Sequence, residues 1–400
     1  MVAISDTGQS SQGTQAPPQV AALVARFDPT AFDLPGNRAV IRLAVADGES
    51  WDVIVEPAGA RLAGAGKGQA DAVLTADEAT WNRLAHDVAA GMDAFRRGRL
   101  RVRRNLHLGV GFLAATAGAT GPGRFRFHRA RTKAGEFSLL EAGTGAPILM
   151  LHGLGGTKAS FLPSVAALAG SFRVIAVDML GFGDSSKPLG ASYSPSFQAG
   201  AITKLLDTLE LPRAHFVGHS LGGRVAMELG FRHPDRTGGL VLMTPAMAWL
   251  RERRWAPYLR FVRPELGLLH IAPRRVVEAF MRWAIPRGDS PWAAPAIDEF
   301  VRIFTTARGR AAFYAAARHI YLDEPHGDNG FWTRLETLSP ESLFIWGRKD
   351  PLVSTGFMKH VERALPAARH VELDCGHLPQ IEQPRQTHAA IEKFLRTLAA

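Results

Sequence analysis

The residues Gly218-His219-Ser220-Leu221-Gly222 follow the apolar pair Phe216-Val217 and open a segment, residues 223–232, with helical patterning. A strand-to-helix turn this tight forces its central residue into a strained backbone conformation, which glycines on either side make room for. The serine hydroxyl is thereby pushed out above the sheet. The same turn delivers the amide of Leu221 to a helix start, where an N–H group and the positive end of the dipole hold an oxyanion. The pentapeptide alone also fits a glycine-rich packing turn with an incidental serine, so the rest of the chain must decide.

Downstream, Trp346-Gly347-Arg348-Lys349-Asp350-Pro351 ends the apolar run Leu343-Phe344-Ile345, and Gly376-His377 follows Val371-Glu372-Leu373. The order is Ser, Asp, His. A serine hydroxyl is a weak nucleophile near neutral pH and needs an imidazole to take its proton. The imidazole in turn needs a carboxylate to fix its tautomer and stabilise its charged form. Ser220, His377 and Asp350 fill these roles. Each lies just after a strand-like run, and the carboxyl ends of parallel strands share one edge of a sheet. His152-Gly153-Leu154-Gly155-Gly156 follows the run 148–151 and supplies a second loop, whose Leu154 amide is the candidate partner of Leu221 in an oxyanion hole.

With Asp178-Met179-Leu180-Gly181-Phe182-Gly183-Asp184-Ser185 and Cys375-Gly376-His377 added, residues from about 125 to 400 resemble the α/β-hydrolase superfamily. The serine at the elbow matters, because relatives that open epoxides or carbon–halogen bonds carry aspartate there. The residues agree independently of the family: 174–177 and 240–243 are apolar without alternation and are separated by helical lengths, the pattern of parallel strands buried on both faces. The expected fold class is α/β, a mostly parallel sheet with helices on both faces and a helical cap. The cap is expected over about 245–338, where prolines cut an Arg-, Trp- and Phe-rich stretch into short helices such as 274–284 and 295–306. Trp249, Trp255, Phe261, Phe280, Trp283 and Phe304 are candidates for lining an apolar channel or, alternatively, for the cap's own core.

The first 120 residues read differently. Residues 1–18 are polar, lack the basic start and apolar stretch of a signal peptide, and are expected to be a disordered tail. Alternation around Ile41, Leu43 and Val45, a turn at Asp47-Gly48 and resumption at Trp51, Val53 and Val55 predict a β-hairpin. Thr75-Ala76-Asp77-Glu78 predicts a capping box for a helix to about residue 90; a short helix ends at Gly98, a strand follows at 100–103, and then an apolar stretch at 105–117. Asp47-Gly48 with Trp51, Ala70-Asp71-Ala72-Val73-Leu74 and Gly98-Arg99-Leu100-Arg101-Val102 resemble the sterol-carrier-protein fold, over about 19–120. That resemblance implies a small α+β lipid-binding module ending in an amphipathic helix, with Arg103-Arg104-Asn105 where the family usually has a glycine and an acidic residue. A docking or dimerisation domain is the alternative. The linker around Gly121 predicts a tethered carrier that raises the local concentration of substrate at the hydrolase domain, 121–400.

Composition sets the remaining bounds. One cysteine excludes an internal disulfide, and Cys375 is expected to fill space beside His377. No run of eighteen apolar residues predicts a spanning helix, so the expected location is the cytoplasm. The net charge of +10 gathers at arginines 96–104 and 251–275, which suits peripheral contact with an anionic membrane or an ordinary solvated face; no motif supports nucleic acid. The expected activity is that of a serine hydrolase acting on an ester of a hydrophobic or lipid-like substrate, with no metal or organic cofactor. Acyl transfer, cofactor-free haloperoxidase chemistry and carbon–carbon bond hydrolysis would use the same triad; from another class, a lipid-transfer protein with an inactive hydrolase half also fits.

Overall fold

Alternation builds the first sheet. Ile41 and Leu43 in β1 (Ala39–Val45) and Trp51, Val53 and Val55 in β2 (Ser50–Glu56) are buried, and the two strands pair antiparallel from Ala39 opposite Val55 to Ala44 opposite Ser50. The turn between them holds Asp47 at φ 56°, a left-handed conformation that Asp tolerates better than most residues. With β3 (Gly59–Leu62), β4 (Ala72–Ala76) and β5 (Leu100–Arg103), the sheet has the order β3-β2-β1-β4-β5, and only β1 and β4 are parallel. The computed structural model describes residues 16–64, 68–87, 91–118, 124–248, 263, 266–269, 273–284 and 291–398. The tail before 16 and the linker at 119–123 lie outside them.

The helices of this domain are α1 (Pro18–Ala25), α2 (Glu78–His86), α3 (Gly91–Arg96) and α4 (Leu106–Ala115). The capping box is displaced. Thr75 is held in β4 opposite Ala44 and Arg101, and Asp77 caps α2 by accepting the Thr80 amide at 2.6 Å. A carboxylate there also meets the positive helix end, which a threonine would not. The final helix is not amphipathic: α4 is buried on nearly all sides, because it lies between the small sheet and the second domain. A Cβ on Gly109 would come within 2.4 Å of Val102 Cγ1, and one on Gly111 would meet the rings of Phe32 and Phe127 at 3.3 and 3.7 Å.

The second sheet has the order β13-β12-β11-β10-β8-β9-β7-β6. Its strands are β6 (Arg126–Thr132), β7 (Gly135–Ala142), β8 (Pro147–Leu151), β9 (Arg173–Val177), β10 (Ala214–His219), β11 (Thr237–Met243), β12 (Ser342–Gly347) and β13 (Arg369–Leu373). All pairings from β9 to β13 are parallel, and β6 and β7 form an antiparallel margin. Helices α5 (Leu162–Leu168), α6 (Pro195–Thr208) and α7 (Leu221–Arg232) precede the cap, which contains α8 (Leu266–Leu269), α9 (Arg274–Ala284), α10 (Ala293–Phe304), α11 (Ala307–Tyr321) and α12 (Phe331–Leu335). Then come α13 (Met358–Ala364), α14 (Pro379–Glu382) and α15 (Pro384–Leu398). Successive β11 residues serve opposite faces: Val241 and Met243 join α5 and α15, whereas Leu240 and Leu242 join α6 and α7.

The first of these cores does not stop at the domain boundary. It runs from Leu23, Trp81 and Phe112 through Phe127 to Ile148, Val241 and Phe394. Around it Arg129 Nε meets Asp33 at 2.6 Å, Arg124 meets Asp28 at 2.8 Å, and the His107 ring donates to the Asp33 carbonyl at 2.9 Å. The carrier expected on a tether is therefore docked, because each large side chain buried in the seam contributes about 1.5–3 kcal/mol.

Candidate active site

Ser220 stands between β10 and α7 with φ 50° and ψ −114°, a conformation that costs a non-glycine residue on the order of 1–3 kcal/mol and persists only where its surroundings enforce it. The surroundings are specific. The Ser220 amide donates to the Met243 carbonyl at 3.0 Å, and its carbonyl accepts from Arg224 and Ala246. A Cβ on Gly222 would lie 1.9 Å from the Leu151 carbonyl oxygen, and one on Gly218 would lie 2.4 Å from the Gly222 carbonyl. The motif's glycines let helix α7 close onto the end of β8, where the loop 152–156 begins.

That loop lies against the serine. A Cβ on Gly153 would sit 3.2 Å from Ser220 Cβ and 2.8 Å from His219 Nδ1. His152 fixes the loop's start: its Nδ1 donates to the Gly153 carbonyl at 2.8 Å, its Nε2 accepts the Met179 amide at 3.1 Å, and burial lowers its pKa, so the neutral tautomer is set. The Gly156 amide returns to the Gly153 carbonyl at 3.0 Å, and Gly155 takes φ 72°. Leu154 follows Gly153, the residue of this loop packed against Ser220. Leu221 is the first residue of α7, so its amide has no partner inside the helix.

His377 meets Asp350 through Nδ1···Oδ2 at 2.7 Å. The other carboxylate oxygen of Asp350 accepts the Leu352 and Val353 amides at 2.7 and 3.0 Å, which holds it acceptor-side toward the imidazole. His377 is also tied to the serine side of the site, since its carbonyl accepts from His219 Nε2 at 2.7 Å and from Thr244 Oγ1 at 3.0 Å. Burial, with the neighbouring His377, pushes His219 down to about 3, so it is a neutral strut beside an imidazole that must gain charge. Glu382 brackets His377 by accepting the Gly376 and Leu378 amides at 2.8 and 3.1 Å.

The structure thus brings Ser220, Asp350, His377 and the Leu154 and Leu221 amides to one sheet edge. It adds His219, Thr244 and Glu382, which act on backbone groups and carry no motif of their own; only the position of His219 inside the pentapeptide marked it. Trp249, Trp255 and Phe261 lie outside the described residues, as do the side chains of Phe280 and Trp283. Phe304 is partly buried and packs against the cap's own core, stacked on Phe300 at 5.1 Å and against Phe313 at 5.2 Å. The rings over the loop are Phe300, whose Cε2 and Cδ2 would lie 2.6 and 2.8 Å from a Cβ on Gly155, and behind it Phe313, at 3.2 Å. Cys375 is buried. A cavity of about 790 Å³ opens beside Pro35, Arg129, Lys187 and Arg308 and includes none of the five site residues in its lining. Among the described residues no cluster of His, Cys, Asp and Glu is placed to hold a metal ion, and no helix is long and apolar enough to cross a membrane.

An eight-stranded, mainly parallel sheet with a strained serine after its central strand, an Asp-His pair at the same edge and a helical cap defines a capped α/β hydrolase. The chain belongs to the α/β-hydrolase fold family, whose model matches residues 146–384, and carries at its N-terminal side a domain of the SCP-2 sterol transfer family, matched over 33–113. It is 30% identical to 2-hydroxymuconate semialdehyde hydrolase of Pseudomonas sp. (strain CF600) over 269 residues, 64% of this chain and 89% of the relative. A match at 42% identity over 279 residues, 64% of this chain and 77% of the other, is to an uncharacterized protein of Mycobacterium bovis. The crystal structure of the enol-lactonase from Burkholderia xenovorans LB400 superposes with a TM-score of 0.55 at 25% identity, covering 67% of this chain and 100% of that one.

Proposed function

We propose that this hydrolase cleaves a carboxylic ester, or a related acyl bond, of a hydrophobic substrate through an acyl-enzyme on Ser220. The observation that supports this most is the strained serine at the end of β10, at the same sheet edge as an imidazole whose Nδ1 is held 2.7 Å from a buried carboxylate. His377 takes the Ser220 proton as the hydroxyl attacks the carbonyl carbon, and Asp350 stabilises the imidazolium. The Leu154 and Leu221 amides receive the oxyanion. The proton on His377 then goes to the leaving alcohol, and His377 activates water to release the acid. An aryl fluorophosphonate should label the wild type and leave Ser220→Ala unlabelled, and an ester library should be turned over by the first only. Equal labelling, or equal turnover, removes Ser220 from the role.

Carbon–carbon bond hydrolysis is the second reading, favoured by the relative that acts on 2-hydroxymuconate semialdehyde. The same residues would serve it. A ring-cleavage product of that class, followed by loss of its visible absorbance, separates the two: turnover of this compound with esters left intact selects the second.

A further inference from the structure

The turn that leads from β5 into α4, where Arg103-Arg104-Asn105 stand in place of the glycine and acidic residue usual in sterol carriers, is strained. Arg104 stands at φ 72°, a conformation costing a non-glycine residue about 1–2 kcal/mol. What holds it there lies almost two hundred residues away, in the cap. Asp298 accepts the Arg104 amide at 2.8 Å and the Arg103 guanidinium at 2.7 Å, while Arg104's own side chain is tied to the Ala70 carbonyl at 2.7 Å. The next residue of α10, Glu299, accepts the Leu106 amide at 2.7 Å and so caps α4 with a carboxylate. Both carboxylates are buried, and Trp292 at the start of α10 packs edge-on to Phe95 at 4.6 Å.

The same helix is tied to the catalytic domain one turn further on. Arg302 donates to Glu299 at 2.8 Å and to both oxygens of Asp184 at 2.7 and 3.1 Å. Asp184 in turn donates its amide to Asp178, which takes the Lys158 ammonium at 2.7 Å and the Lys158 amide at 2.6 Å, two residues beyond the loop 152–156. Between these anchors Phe300 projects onto Gly155.

We infer that the SCP-2 domain is a positioning part of the acyl site: through the turn 103–106 gripping Asp298 and Glu299, it sets helix α10 and hence the ring of Phe300 over the oxyanion loop. This rests on the reading of Ser220 as the acylated residue, but the grip itself is tested without it. Arg103, Asp298 and Glu299 are positioning residues that touch neither Ser220 nor His377. A domain that only delivered substrate would need no such bonds, and its loss of contact with the cap would leave the pocket unchanged.

The test uses the full chain carrying Arg103→Ala together with Glu299→Gln, with Arg101→Ala on the exposed face of β5 as control. Arg103 is half exposed and glutamine keeps the shape of Glu299, so the double variant is built to fold; a melting curve and Arg103→Lys, which returns a cation, check this. Amide hydrogen exchange over residues 293–304 and 153–156 should rise about tenfold or more, with strand β12 unchanged, and Arg103→Lys should recover part of it. In kinetics on p-nitrophenyl esters, KM for a long acyl chain should rise about tenfold, well beyond any change in turnover of the acetyl ester. Unchanged exchange in the cap and loop overturns the inference, as does an equal loss on both esters. If the wild type hydrolyses no ester and takes no fluorophosphonate, the reading of Ser220 fails, and the exchange measurement alone still decides the grip.

Discussion

His377 is held at four points: Asp350 at its ring, His219 and Thr244 at its carbonyl, and Glu382 at the amides on either side. The last contact is the most exposing to remove, because Glu382→Ala leaves two part-buried N–H groups without a partner, about 1–3 kcal/mol each. Glu382→Ala should lower kcat by about 10- to 100-fold with little change in KM, read from steady-state kinetics on a short ester; an unchanged kcat would show that the loop needs no such support. A second residue-scale prediction concerns acid. His388 Nε2 bonds Ser164 Oγ at 2.9 Å in a buried site, and burial pushes it from 6.5 down to about 4. Its unfolded form binds the proton more tightly, so stability is full above about pH 6.5 and falls as pH drops toward 4, by an amount of roughly 3 kcal/mol if the gap is fully realised. His388→Gln should flatten the melting temperature between pH 7 and pH 4, and an unaltered slope would assign the acid lability elsewhere. The positions of Ser220, Asp350 and His377 at one sheet edge were legible in the sequence because each follows an apolar run, whereas the supports Glu382 and Thr244 were not, since a side chain that serves a backbone group leaves no spacing to read.

At the scale of elements, buried strands and the elbow helix were readable from unbroken apolar runs and paired glycines. What misled was competition between neighbours. Thr75 reads as a helix cap only if the strand before it ends early, and pairing on both edges of β4 keeps it extended. The apolar text of α4 similarly hid its surroundings, because no local pattern says that a second sheet waits on the outer side. The cap shows the same limit: the sequence marked Phe304 with five other aromatics, and the structure places Phe300 on the loop. Phe300→Ala should shift acyl-chain preference and slow the acetyl ester little, whereas Phe304→Ala, at a partly buried ring, should lower the melting temperature by less than the about 3–5 kcal/mol of a full core truncation implies and leave chain preference unchanged. An ester series from two to twelve carbons, run beside thermal melts, separates the two outcomes; identical profiles would contradict the assignment.

For the whole molecule, a core shared by both domains means that neither unfolds into water without exposing the other. Calorimetry of the full chain should show one transition rather than two. Removal of residues 1–117 would uncover Phe127 and strip Asp298 and Glu299 of the turn 103–106, so the remainder should melt about 10 °C lower or more, at roughly 2–4 °C per kcal/mol lost. Two resolved transitions, or a truncated chain with the parent's melting temperature, would refute the shared core. The linker composition around Gly121 suggested independence because a flexible connection looks the same whether its domains touch or not.

The capping of α4 by Glu299 spans 193 positions of sequence, and this sets an order of events during synthesis. At about 5–20 residues per second, the ribosome needs on the order of 10–40 s after α4 and its local Asn105 cap have emerged to supply the carboxylate that takes the Leu106 amide. Through that interval the face of the helix bearing His107 and Gly111, which packs on Phe127 of β6 in the folded chain, lacks its partner sheet. A nascent chain arrested before residue 290 should therefore leave this face uncovered, and the SCP-2 domain, though made before the hydrolase domain, is completed only together with it.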